Sequence, residues 1–283
     1  MDLLNNFFTS LFDAILTPLE LGGEAFALIF VSGVFGVLAL WIFKHISWQE
    51  GIGRVKDQIK GNMIAIRIYQ DDLVIVGQSV CKVLWRNMQY VGLNFGPFIP
   101  LAIPFVFVVA QTVVRYGFDP IPVVSTDGLA GAGNELRIEF KPGQRDECAG
   151  LEVLMPEGLE ATSPLVRVPS QGLAFQEFVA RAPGNYEITL RFPDGSAETK
   201  SVVAGEEKAR LMQPERVAGA FSSMLWPAEE RLASDSPLNR IAFIYPDSDL
   251  GWLPGGPGGV LIIFVVASML FGFIALKPLG VKI

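Results

Sequence analysis

The sequence is poor in the residues that perform chemistry. In 283 residues it has one histidine, His45, and two cysteines, Cys81 and Cys148, and only 18% of its residues are charged. A blue-copper centre needs two histidines and a cysteine, so that class is excluded. Gly-x-Ser-x-Gly, a Walker loop, His-Glu-x-x-His and Cys-x-x-Cys are all missing. Gly131-Ala-Gly133 is followed by Leu136 where a dinucleotide loop needs its third glycine, and a strand comes next rather than a helix. Asp71-Asp72 has no companion ligands or bases and reads as a helix cap. His45, beside Lys44 at the end of an apolar run, reads as an interfacial residue. Catalytic, cofactor and metal sites are therefore not expected.

Cations are also unevenly absent. No Lys or Arg precedes Lys44, where the only charges are Asp2, Asp13, Glu20 and Glu24. No charge of either sign occurs from Ala25 to Phe43, from Asn87 to Val114, or from Leu250 to Leu276. A bilayer core takes about 20 apolar residues to cross, so three transmembrane helices are expected, at 22–46, 96–116 and 257–277. Seven cations lie between Lys44 and Gly96, and Lys277 and Lys282 follow the third run. By the positive-inside rule the N-terminus is outside the inner (plasma) membrane, while residues 47–95 and the tail 278–283 are cytoplasmic. The extracytoplasmic stretch Gly117–Pro257 then has 21 acids against 12 bases. The whole-chain charge of −7 combines an acidic outside with a basic inside, and nucleic acid is not an expected partner.

The stretch 47–95 organises the rest. Ile52, Val55, Ile59, Met63 and Ile66 recur at spacings of three and four, with charges mostly between them. Asp71-Asp72 interrupts, and Leu73, Val76, Val80, Val83 and Leu84 start a second stripe that reaches Tyr90. Two antiparallel helices zipped along these stripes are expected. Ile64, Ile68, Val74, Ile75 and Trp85 fall off the stripes and would be exposed on an isolated hairpin. Burying one such side chain is worth about 1.5–3 kcal/mol, so together they imply a partner or the membrane surface. Ser32 and Gly36 in the first span, and Ser268 and Gly272 in the third, form small-xxx-small pairs that suit close helix packing.

The first twenty-one residues place Leu3, Phe7, Phe8, Leu11, Phe12, Ile15 and Leu16 at helical spacing, with Pro18 as the expected end. Such a helix lies either in the outer membrane interface or against the extracytoplasmic domain. From 117 to 205, short period-two runs separated by Pro, Gly, Asn and Asp predict an all-β sandwich. A connector, 206–256, is expected to contribute one strand, Arg240–Tyr245, closing the sheet edge. Ala182-Pro-Gly-Asn-Tyr186 resembles the late-strand motif of immunoglobulin-like sandwiches, in which a tyrosine locks a corner against the backbone. Cys81 and Cys148 fall on opposite sides of the membrane, which excludes a disulfide between them.

An N-out span, a cytoplasmic hairpin, Tyr90-Val-Gly-Leu-Asn-Phe-Gly-Pro97 and a proline-rich second span together resemble the Oxa/YidC insertase superfamily. The small three-span relatives share the order span, coiled coil, span, span. The resemblance implies a non-enzymatic membrane protein that assists insertion, folding or assembly of others, with lipid and other membrane proteins as partners. YidC-type members carry an arginine within the first core span, but here the most polar residue between Ala25 and Phe43 is Ser32. A β domain also replaces a short loop. A polar groove would then draw on Ser32, Lys44, Asn87 and Gln111, or on backbone freed by Pro97, Pro100 and Pro104. The alternative expectation is a scaffold subunit of an envelope complex that docks through the outer sandwich and the inner hairpin.

Overall fold

The computed structural model describes residues 2–124 and 133–281; Gly131 and the last two tail residues lie outside the described residues. Six α-helices are described: α1 (Asp2–Glu20), α2 (Glu24–Ile46), α3 (Gln49–Ile68), α4 (Leu73–Phe95), α5 (Phe98–Tyr116) and α6 (Gly256–Leu279). The chain forms two compact units. One comprises the residues up to Leu28 with Val106–Ile263, and the other comprises Ile29–Phe105 with the residues from Phe264 onward.

Among the described residues three helical stretches are long and apolar enough to cross a membrane: α2, α6, and Leu73–Tyr116, in which α4 runs into α5. No polar face interrupts the apolar run of α2 or α6, the pattern of helices whose surroundings are apolar on every side. Gly96 keeps helical dihedrals at the α4–α5 junction, and Pro97 follows it. The missing proline N–H is tolerated at a helix start, so the break falls there.

In the second unit, the α2 and α6 backbones touch at Gly36. A Cβ placed there would come within 2.0 Å of the Ser268 carbonyl oxygen, and one placed on Gly272 would lie 3.5 Å from the Gly36 oxygen. Small residues at these positions are what allows the approach. Phe35 packs on Phe264 at 5.3 Å between ring centroids, and Phe105 packs on Phe264 at 5.7 Å.

The first unit contains the β-sheet region and α1. Its strands are β1 (Asn134–Phe140), β2 (Glu152–Leu154), β3 (Leu159–Ala161), β4 (Val166–Val168), β5 (Leu173–Ala180), β6 (Gly184–Arg191), β7 (Ala197–Ala204), β8 (Glu215–Val217) and β9 (Leu238–Ala242). One antiparallel sheet has the order β3-β5-β1-β9-β8, with β4 also on β5, and the other has the order β2-β6-β7. Strict alternation puts Leu136, Ile138 and Phe140 of β1 inward and leaves Glu135 and Arg137 outside. Phe140 meets Phe192 edge to face at 6.2 Å, joining the two sheets. Tyr186 at the start of β6 donates to the carbonyl of Ala182 at 2.9 Å, a corner lock of the expected kind.

The connector departs from the sequence reading in two ways. It supplies two strands, β8 and β9, rather than one, and β9 lies between β1 and β8 instead of closing an edge. Three residues of β8 are too few to show a period, and the central place of β9 is set by pairing with β1, a hundred residues away.

Helix α1 also outruns its expected end. It passes Pro18 and stops at Glu20, where Gly23 takes a φ of +100° that favours glycine. One face is packed: Phe12 and Leu16 are buried, and Phe8 stacks on Phe107 at 4.6 Å. Polar contacts fasten the same helix. Gln111 donates to Thr9 at 2.8 Å, Arg115 pairs with Asp13 at 2.5 Å, and Asn5 donates to the Ser223 carbonyl at 3.1 Å. Phe7, Leu11 and Ile15 form a second, exposed apolar face.

Candidate partner-binding surface

Helices α3 and α4 form a hairpin around the turn Tyr69–Asp72. Asp72 is the N-cap of α4, its carboxylate accepting from the backbone N–H of Val74 at 2.9 Å and of Ile75 at 3.1 Å. The Asp71-Asp72 pair therefore includes a cap, as its place before an apolar run implies.

The zipper is only partly closed. Ile52 and Val55 are buried, with Ser79 of α4, and Ile59, Ile66, Val76 and Val83 are half-buried. Met63, Leu73, Val80 and Leu84, assigned by spacing to the stripes, are exposed instead. Spacing marks an apolar face but not how far a partner helix covers it. The off-stripe residues Ile64, Ile68, Val74, Ile75 and Trp85 are all exposed within the structure. Ile64, Ile68, Val74 and Ile75, with Met63, Tyr69 and Leu73, make the tip of the hairpin an apolar surface on both helices, and Trp85 lies further down α4.

The residues expected to contribute to a polar groove each have a separate setting. Ser32 is fully buried on α2. Lys44 reaches the last turn of α6 and donates to the Leu279 carbonyl at 2.6 Å, a cation on the negative end of a helix. Asn87 is spent on its own helix, donating to Val83 at 3.0 Å. Gln111, fully buried in the first unit, serves α1 through Thr9.

At the root of the hairpin is a cleft of about 480 Å³ whose lining includes Trp48, Arg54, Gln58, Arg86 and Gln89. The Arg54 guanidinium stands over the Trp48 ring at 5.4 Å, and Arg86 donates to Gln89 at 2.6 Å. Sequence reasoning used these arginines only to orient the chain. Their positions in facing helices, close to Trp48 and Gly92, were the available signal. A larger open hollow of about 1390 Å³ in the first unit is bordered by Glu24, Asp119 and Lys208. Lys208 there pairs with Glu24 at 3.0 Å and Asp119 at 2.8 Å.

The β region hides charged groups that the alternation of β7 could have disclosed. Glu198, Lys200 and Val202 share its inward face. Lys200 is fully buried, paired with Glu229, bonded to the Gln213 carbonyl at 2.7 Å and placed 4.9 Å from the Phe243 ring. Burial pushes its pKa below the ordinary lysine range, and the Glu229 carboxylate pulls it back only in part. Cys148 is buried too, and desolvation raises its thiol, so it is a poor nucleophile.

Among the described residues no group of three or more His, Cys, Asp or Glu could hold a metal ion. Comparison with protein families, with curated proteins and with solved structures finds no match for this chain.

Proposed function

We propose that this is a non-enzymatic inner-membrane protein that assists the insertion, folding or assembly of other membrane proteins, in the manner of the Oxa/YidC insertases it resembles. In this reading α2, α5 and α6 span the bilayer, the α3–α4 hairpin is cytoplasmic, and the β domain is an immunoglobulin-like sandwich outside. The observation that carries the reading is the apolar tip. A cytoplasmic hairpin tip that exposes Ile64, Ile68, Tyr69, Leu73, Val74 and Ile75 together has a surface that favours contact with other apolar chains.

A second reading, a scaffold subunit of an envelope complex, draws on a different observation. Direct backbone contact at Gly36 and the Phe35–Phe105–Phe264 cluster make a close helix packing, suited to a fixed docking partner. The two readings part on Ile68→Ser combined with Ile75→Ser. Failure of client insertion with the protein itself intact supports the insertase. Loss of one stably co-purifying subunit supports the scaffold, and no effect on either contradicts both.

A further inference from the structure

The hairpin is two-faced in a way that a soluble hairpin is not. Helix α4 turns Ser79, Val83, Arg86 and Tyr90 toward α3, and these are buried or half-buried. Its opposite face is formed by Cys81, Leu84, Met88, Val91 and Phe95, at spacings of three and four, and all are exposed. An outward helix face in water would be polar. The outward side of α3 is of that kind in its first half, with exposed Lys56, Asp57 and Lys60. The greasy face of α4 leads through Gly96-Pro97 directly into the apolar helix α5, where Phe98, Ile99 and Ile103 are exposed in turn. Its apolar surface is thus continuous with that of a candidate span.

The root cleft lies at the same level of the hairpin. One wall includes Trp48, two residues after α2 ends at Ile46, and the other reaches Gly92 and Leu93, just before Pro97. The first wall therefore stands where the chain leaves the apolar helix α2, and the second just before the chain enters α5. The cleft is lined by two guanidiniums, Arg54 and Arg86, with the side-chain amides of Gln58 and Gln89. Arg54 also holds the Glu50 carboxylate at 3.3 Å, an exposed i, i+4 pair at the edge of the cleft that a bound phosphate would compete with. Arginine offers a fork of donors that matches phosphate oxygens, and Trp48 supplies an amphipathic ring suited to headgroup depth.

We propose that the root of the hairpin binds an anionic phospholipid, with the headgroup phosphate in the Arg54–Arg86 cleft and the outward face of α4 resting on the same leaflet. The hairpin then lies against the bilayer with α3 toward water, whatever its tip engages.

The test uses the full chain in vesicles of phosphatidylcholine with or without phosphatidylglycerol. Native mass spectrometry of the extracted protein is expected to show retained phosphatidylglycerol, lost in Arg54→Gln/Arg86→Gln and kept in Lys56→Gln/Lys60→Gln, which removes the same charge from α3 outside the cleft. Equal loss in both double variants would mean unspecific attraction and would overturn the assignment. So would displacement of the lipid by millimolar inorganic phosphate, which would mark a site for the free anion. An environment-sensitive fluorophore on exposed Cys81 in the unsubstituted chain covers the second half. It is expected to lose most of its emission with lipids spin-labelled near the headgroup and little with aqueous iodide. Quenching by iodide instead, or protection from both quenchers, would show water or protein on that face and reject the proposal.

Discussion

Lys200 shows how much one side chain can bind together. Its ammonium holds Glu229 and the Gln213 carbonyl, so β7 is tied to two parts of the connector at once. Gln213 in turn accepts from the backbone of Ala228 at 2.8 Å and of Glu229 at 3.1 Å. Removing one member of a buried ion pair strands the other, at about 3–5 kcal/mol. Glu229→Ala is accordingly expected to lower the unfolding free energy by that order, measured by denaturant unfolding of the full chain in detergent. Since burial depresses the Lys200 pKa in the folded protein, the unfolded chain binds more protons between that depressed value and the ordinary lysine value. Stability contributed by this site should therefore rise with pH through that window, and Lys200→Met should flatten the rise. Glu139 has a dependence of the same sign in a lower, acidic window. Its hydrogen bond from Arg240 holds the carboxyl below the usual range, so its contribution is full at neutral pH and is lost in acid.

At the scale of elements, the contact between α2 and α6 depends on an asymmetric pair of glycines. A methyl group at Gly36 would collide with Ser268 backbone atoms at 2.0 and 2.7 Å, which no rotamer change relieves, whereas at Gly272 it would meet only the Gly36 backbone at 3.5 Å or beyond. Gly36→Ala should destabilise by at least the cost of core overpacking, about 1–3 kcal/mol, and Gly272→Ala by much less. Thermal unfolding in detergent checks the difference; equal effects would argue against the contact. The small-xxx-small spacing was visible in the sequence, but not which glycine is indispensable, because that depends on how deeply each backbone is seated. The hairpin had a similar limit. Its Asp72 cap and the exposed Ile64, Ile68 and Trp85 followed from spacing alone. Met63, Leu73, Val80 and Leu84 were assigned to the stripes because periodicity does not reveal where two helices stop covering each other. Long-range pairings, β1 with β9 and Lys200 with Glu229, left only a period-two trace in the sequence.

For the whole molecule, the reading depends on sidedness first. A cysteine at Ser196, in the turn between β6 and β7, should react with an impermeant maleimide in intact cells. One at Gln70, in a Cys81→Ser background, should react only after the membrane is permeabilised. The central claim is that the hairpin tip receives other membrane proteins in passing, and it is tested most directly by a photocrosslinker at Ile68 in growing cells. The account expects adducts with many newly made membrane proteins, fading when synthesis is halted and lost when Ile75→Ser is added. A single adduct of constant intensity that persists without synthesis, or no adduct at all, would contradict it.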